Sequence, residues 1–286
     1  MFTIRSKEFL SPTIARFIIE APYVAPKRKA GNFVIIRVSD NGERIPITLV
    51  DSDPVEGTVT LIVQAIGKTT KELLTKEAGD TIPDLVGPLG KPTPLHANET
   101  IVCVGGGVGT AELLPITRAL KESGNRILSI VGARSRDLII LEDEMRAASD
   151  ALAVTTDDGS YGKKGFVTDE LKEILDREKP DAVYAIGPLP MMKAVSALTK
   201  VYGVHTTVSL NALMVDGTGM CGGCRVSIGG RMKFACVDGP EFDGHAVDFD
   251  ELIIRNRSYT VFEQESNRRF TEEHACAAQQ ASEVVR

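Results

Sequence analysis

The chain has 286 residues, 43% of them hydrophobic and 25% charged, and carries a net charge of −6 at neutral pH. That length favours two cores over one. The acidic balance, without a basic cluster or an aromatic-rich groove, argues against a nucleic-acid partner. No apolar run reaches the ~18 residues of a membrane helix, and residues 1–8 lack the apolar core of a signal peptide. Five cysteines, three of them crowded into one loop, argue against a disulfide framework and for a reducing, cytoplasmic setting.

Residues 1–97 read as short strands. Runs rich in β-branched residues at 13–19, 32–38 and 57–63 predict three of them, and Asp40-Asn41-Gly42 supplies hairpin chemistry. One helical turn is expected at 70–74, and the Gly- and Pro-rich run 87–92 closes the unit, a small β-barrel or sandwich. Two segments in it could meet a ligand. Arg44, Pro46, Ile47 and Thr48 lie together, and Ile66, Gly67, Thr69 and Thr70 join a strand to a helical turn, a plausible phosphate cradle. Thr69 is also an ordinary N-cap candidate.

Residues 98–213 change character. Apolar strands at 100–104, 126–132, 151–155, 182–186 and 206–210 alternate with helices at 111–122, 141–148, 167–177 and 191–200. Such alternation predicts a doubly wound parallel sheet covered on both faces. Gly105, Gly106, Gly107, Val108 and Gly109 follow the first strand and open the first helix, where a pyrophosphate can approach the backbone. The second strand ends at Arg134 and Arg136 instead of an acid. The two arginines can hold a 2′-phosphate or can simply be solvated. Asp157 and Asp158 follow the third strand, and Gly187, Pro188 and Met191 follow the fourth, on the same ligand-binding edge. Cys103 reads as a core thiol and His205 as structural. No Ser–His–Asp arrangement stands out, and no general acid or base is expected.

Residues 214–264 are expected to be short and loop-like, and 265–286 to be a polar tail, a loose helix or disordered. Four residues separate Asp216 from Cys221, two separate Cys221 from Cys224, and eleven separate Cys224 from Cys236. Plant-type 2Fe–2S ferredoxins space their ligands as Cys, four residues, Cys, two residues, Cys, then a distant Cys. Here Asp216 stands where the first Cys would be, and a carboxylate is a harder ligand for iron. Gly217, Gly219, Gly222 and Gly223 would let the backbone wrap a cluster closely. Zinc is the alternative, but His245, the histidine shortly downstream, fits no common finger spacing.

These motifs together resemble the ferredoxin–NADP reductase superfamily. The segment from Asp216 to Cys236 resembles the electron-transfer subunits of dihydroorotate dehydrogenase. With its Asp-for-Cys exchange, it is still more similar to the family of small subunits of NADH-dependent reduced ferredoxin:NADP oxidoreductases, which are electron-bifurcating transhydrogenases akin to sulfide dehydrogenase. The likeness covers residues 1 to about 264. It implies FAD between a barrel (1–97) and an NAD(P)-binding domain (98–213), and a 2Fe–2S cluster in 214–264 held by Asp216, Cys221, Cys224 and Cys236. It implies NAD(H) rather than NADP(H) at this chain, a larger partner with its own FAD and 4Fe–4S clusters, and ferredoxin reached only through that partner. The superfamily's flavin motif has Arg two places before Tyr. Here Ile47 and Thr48 match the last two places, but Arg44 is one residue early. Where Pro commonly follows Ala111, this chain has Glu112. Delivery of electrons to a dihydroorotate or sulfide dehydrogenase is the alternative within enzymology. A non-enzymatic iron–sulfur redox sensor is the alternative from another class.

Overall fold

The structure is a computed structural model that describes residues 1–284, with side chains described through Glu273. Cys276 therefore lies outside the described side chains. The first unit contains β1 (Phe2–Ser11), β2 (Ile14–Glu20), β3 (Phe33–Arg37), β4 (Arg44–Thr48), β5 (Asp51–Asp53), β6 (Thr58–Gln64), α1 (Lys68–Leu74), β7 (Thr81–Ile82) and β8 (Asp84–Leu89). Its strands form two antiparallel sheets, β5-β6-β2-β1-β7 and β4-β3-β8. Ala15, Phe17 and Ile19 point inward at alternate positions of β2 and meet Val34 and Ile36 of β3 and Leu61 and Val63 of β6. The expected hairpin joins β3 to β4, with Gly42 N–H donating to the Ser39 carbonyl at 2.9 Å.

The second unit contains β9 (Thr100–Gly106), α2 (Gly109–Glu122), β10 (Arg126–Ala133), α3 (Glu142–Ala147), β11 (Ala151–Thr156), β12 (Lys163–Lys164), α4 (Val167–Arg177), β13 (Ala182–Ile186), α5 (Leu189–Tyr202) and β14 (His205–Ser209). The third contains β15 (Arg225–Ile228), β16 (Arg231–Phe234), α6 (Ala235–Asp238), β17 (Glu241–Asp243), α7 (Phe249–Asn256) and α8 (Thr260–Val284). Seven strands form one sheet in the order β12-β11-β10-β9-β13-β14-β17, parallel except for β17. Helices cover both faces, so β13 is buried along its whole length, as an apolar strand in a doubly covered sheet must be.

Two expectations change, and of the two readings of the tail the helical one stands. The segment 214–264 is not loop-like throughout: β15 and β16 pair as a hairpin, and β17 pairs with β14, Ser209 opposite Glu241. The polar tail is the regular helix α8, laced by Arg268 to Glu272 at 2.7 Å and Arg269 to Glu265 at 2.7 Å. Such solvent-exposed pairs add little to stability. β1 is a further strand. Arg5 and Glu8 face water, Lys7 folds in to bond the Leu74 carbonyl at 2.7 Å, and only Ile4 and Ser11 are buried as whole residues.

Asn125 ties the inter-domain linker to the second unit. Its Oδ1 accepts Glu99 N–H at 3.0 Å, and its Nδ2 donates to the carbonyls of His96 at 2.7 Å and Leu120 at 2.8 Å. Asn125→Ala removes all three side-chain bonds, the one to the Leu120 carbonyl being buried. Thermal or denaturant unfolding should show a loss of about 1–3 kcal/mol. An unchanged midpoint would show that the linker is held elsewhere.

Candidate functional site

The C-terminal ends of β9, β10, β11 and β13 lie side by side, the edge where open α/β sheets receive ligands. The glycines there have different duties. Gly107 has φ +55°, and a Cβ on it would meet nothing within 4 Å, so its backbone is open to a ligand. Gly109 begins α2, and a Cβ there would lie 2.6 Å from the Ile186 carbonyl oxygen. Gly106 packs under Met191 and Pro188, and a Cβ on Gly105 would lie 2.9 Å from Thr110 Oγ1. Gly105, Gly106, Gly109, Gly187, Pro188 and Met191 thus build the junction of two strand–helix turns, with Val108 as N-cap of α2.

Arg134 is exposed at the end of β10, while Arg136 stacks over the Tyr161 ring with 5.3 Å to its centroid. Asp158 is held in its own turn. Its Oδ1 accepts Ser160 N–H at 2.9 Å and the Ser160 hydroxyl at 2.6 Å, which keeps the carboxyl below its ordinary range.

On the barrel side, Ile45, Pro46, Ile47 and Thr48 are all half-buried, unlike the in–out alternation of β2. Arg44 is paired with Asp84 at 3.3 Å. Gly67, not Thr69, is the N-cap of α1. Thr70 Oγ1 accepts the N–H groups of Ile66 at 3.0 Å and Gly67 at 3.1 Å, while the Thr69 hydroxyl donates to Glu43 at 3.2 Å. A Cβ on Gly67 would meet nothing within 4 Å, and Ile66 is 68% exposed beside it. An open backbone next to an exposed aliphatic side chain and a half-buried strand suits a flat ligand with a phosphate tail, such as FAD.

One polar group at this seam does not stand out in the sequence. Glu112, in the first turn of α2, accepts a hydrogen bond from the Ser209 hydroxyl. Burial raises its carboxyl above the ordinary range against the pull of the Ser209 bond. The residue at this position, where the superfamily often has Pro, is the only signal the sequence carries.

The cysteine loop divides its candidate ligands into two pairs. Cys224 and Cys236 are buried with their sulfurs 3.2 Å apart. That is too long for a disulfide of about 2.05 Å and close enough for both to face one small group. Asp216 and Cys221 form the other pair: Cys221 is exposed, and its N–H donates to Asp216 Oδ2 at 2.6 Å. Asp216 Oδ1 accepts Thr218 N–H at 2.8 Å, and these backbone donors hold the carboxyl below its usual range. Gly223 N–H points at Cys221 Sγ, 3.4 Å away, as N–H groups do at cluster sulfurs. Burial and the neighbouring Cys224 push the Cys236 thiol up to about 12, so a bound metal's charge is what would strip its proton. The donor types suit an iron–sulfur cluster, but among the described residues the structure brings them together only as these two pairs and not as one group of three or more. His245 is engaged elsewhere, its Nε2 3.0 Å from Thr199 Oγ1, which leaves it out of a zinc site with these cysteines. Cys103 is a buried core thiol, pushed up to about 12 by burial.

Comparisons agree with this layout. The iron–sulfur cluster binding domain of dihydroorotate dehydrogenase B matches residues 211–248, and the oxidoreductase NAD-binding domain matches residues 103–197. A dihydroorotate dehydrogenase B (NAD(+)) electron transfer subunit homolog from Thermotoga maritima is 48% identical over 93% of this chain and 94% of its own. The dihydroorotate dehydrogenase B electron transfer subunit of Bacillus cereus is 31% identical over 85% and 95%. A chain solved in work on electron bifurcation by NADH-dependent reduced ferredoxin-NADP oxidoreductase superposes with a TM-score of 0.90 at 46% identity, covering 95% of this chain and 98% of that one. Phthalate dioxygenase reductase, at 18% identity and a TM-score of 0.57, shares the fold.

Fold and site define an oxidoreductase of the ferredoxin reductase-like class, with a nicotinamide-binding domain and an iron–sulfur segment. Within that class, the chain belongs to the family of electron-transfer subunits represented by dihydroorotate dehydrogenase B and by NADH-dependent reduced ferredoxin-NADP oxidoreductase.

The two glycine roles separate by experiment. Gly107→Ala costs about 1–2 kcal/mol of backbone strain, the chain stays folded, and its NADH affinity falls about tenfold because the new methyl group occupies open approach space. Gly109→Ala instead overpacks α2 against β13 and lowers the melting temperature, at a cost of about 1–3 kcal/mol. Thermal melts beside NADH titrations distinguish the two, and equal NADH affinity in wild type and Gly107→Ala would remove Gly107 from the nucleotide site.

Proposed function

We propose that this electron-transfer subunit binds FAD between barrel and nucleotide domain, takes NAD(H) at the Gly107 edge, and holds a 2Fe–2S cluster on Asp216, Cys221, Cys224 and Cys236. The observation that carries the reading is the division of one loop into a buried pair, Cys224 with Cys236, and an outer pair, Asp216 with Cys221. The loop also lies against the barrel: a Cβ on Gly217 would fall 2.5 Å from Leu89 and 3.0 Å from Ile35, so cluster and flavin cleft share a wall. When bound, FAD supplies the exchange between two-electron hydride chemistry and one-electron transfer to the cluster.

The chain's own residues bind and orient. Gly107 exposes its backbone to the dinucleotide, Gly67 and the start of α1 meet the flavin phosphates, and β4 backs the ring. Arg134 reads the ribose end, NAD(H) being favoured over NADP(H). The polypeptide units are the barrel over 1–97, the nucleotide domain over 98–213 and the cluster segment over 214–264, with 265–286 as a helical tail.

The partner is a larger flavin and 4Fe–4S subunit in which electron bifurcation takes place, so that ferredoxin is reached indirectly. Cys103, Cys221, Cys224 and Cys236 carry no disulfide, and no described helix is long and apolar enough to cross a membrane. Both are compatible with a cytoplasmic complex. Delivery of electrons to dihydroorotate dehydrogenase is the second reading, favoured by the names of several relatives. Co-purification from cell extract, assayed for NADP-linked ferredoxin reduction and for dihydroorotate oxidation, decides between the two.

Anaerobically purified chain should show flavin and cluster absorbance that NADH bleaches; a colourless protein would overturn the reading. Asp216 gives the sharper test. Asp216→Cys should still assemble a 2Fe–2S cluster with a shifted potential, and Asp216→Ala should lose the cluster or hold it with altered paramagnetic resonance. A wild-type signal and potential in both variants would leave Asp216 as a turn residue that only holds the N–H groups of Thr218 and Cys221.

A further inference from the structure

Helix α8 follows the cluster segment in the chain, yet it packs back against α1 of the barrel. Between them runs a groove of about 370 Å³. One wall is Lys68, next to the open backbone of Gly67. The other is α8, which presents two rows of residues four apart: Phe262, Ser266 and Phe270, and beside them Glu265, Arg269 and Glu273. Residues at that spacing stand over one another on a helix, so this face is aromatic along one edge and charged along the other. Phe262 is 73% exposed and Phe270 is half-buried, so the aromatic row is open at the groove.

We propose that this groove takes the adenine of FAD, with Phe262 as its stacking surface and Ser266 as a hydrogen-bonding partner at the edge of the base. The proposal rests on the reading that Gly67 and the start of α1 meet the flavin phosphates. The adenosine of FAD lies beyond the pyrophosphate from the flavin ring, so it must run onward from Gly67. The groove begins one residue further along the chain, at Lys68, and supplies an aromatic surface there. Helix α8 then grips the flavin from the side of the cluster segment, and FAD binding draws on the first and third units together.

The lining suits a neutral base better than an anion. Its two cations, Lys68 and Arg269, are balanced by two carboxylates, Glu265 and Glu273. Glu265 is already committed to Arg268 at 2.8 Å and Arg269 at 2.7 Å, and these arginines hold its carboxyl down to about 2. Glu273 remains an acceptor, and adenine presents an exocyclic amine that donates. Stacking supplies the larger share, because any base offers a π-face to a phenyl ring. Lys68, beside Gly67, is placed for the phosphate on the adenosine side.

The experiment titrates FAD and FMN separately onto full-length chain freed of flavin, followed by flavin fluorescence anisotropy. FMN has the ring and one phosphate but no adenosine. Wild type should bind FAD more tightly than FMN. Phe262→Ala should weaken FAD about tenfold and leave FMN unchanged, and Phe262→Tyr should restore FAD binding. Val261→Ala, which removes an exposed apolar neighbour outside the groove lining, should change neither. Flavin-free Phe262→Ala should melt with wild type, since the ring is largely exposed; if it melts lower, the ratio of FAD to FMN affinity and the tyrosine rescue decide. Equal FAD affinity in wild type and Phe262→Ala overturns the proposal. So does an equal loss of FAD and FMN, which would make α8 only a brace for α1, and so does a wild type that binds FMN as tightly as FAD. A wild type that binds neither flavin instead overturns the flavin reading beneath it.

Discussion

Apolar packing holds the two large units together, and the positions of the site residues follow from it. Ile14, Val50 and Ile62 of the barrel pack into the same core as Ile101, Leu113, Leu114 and Leu120 of the nucleotide domain. Each such side chain contributes about 1.5–3 kcal/mol when fully buried, so the seam is closed and stiff. Polar groups caught at its margin must satisfy one another. Glu112 and Ser209 do so, and that necessity brings two distant parts of the chain to one point.

The cysteine loop obeys the opposite rule. Its backbone is irregular and held locally, by Asp216 capping two N–H groups and by glycines at positive φ such as Gly217 and Gly219. Two thiols lie buried at its base with nothing but each other to bond. Such an arrangement is a modest gain for a metal-free protein and a large one when thiolates meet a cation, since the metal's charge replaces protons that burial holds on.

The parallel sheet was legible because strands covered on both faces must be apolar throughout, as β9 and β13 are. The cysteine spacing was legible because ligand chemistry constrains residue type directly. β1 was not, since a strand with one wet face and charges such as Arg5 and Glu8 carries little apolar pattern. β17, three residues long, offers no periodicity at all. In the barrel, Thr69 and Thr70 read equally well as a cap or as a phosphate contact, and only tertiary structure shows Thr70 serving Gly67. Glu112 is hidden for another reason. An acid in the first turn of a helix is ordinary on dipole grounds, and its meaning depends on Ser209, ninety-seven positions away.

The pairing of β17 with β14 bears on how such a chain could be divided or have been assembled. Cutting after residue 213 would strip the nucleotide sheet of its last strand and leave the length of β14 as a bare edge, with unpaired N–H and C=O groups open to other chains. The cluster segment is thus a cover as well as a cofactor carrier. Such modularity is one-sided: a reductase could acquire this segment by addition, but a chain that has come to rely on β17 cannot shed it without becoming prone to self-association.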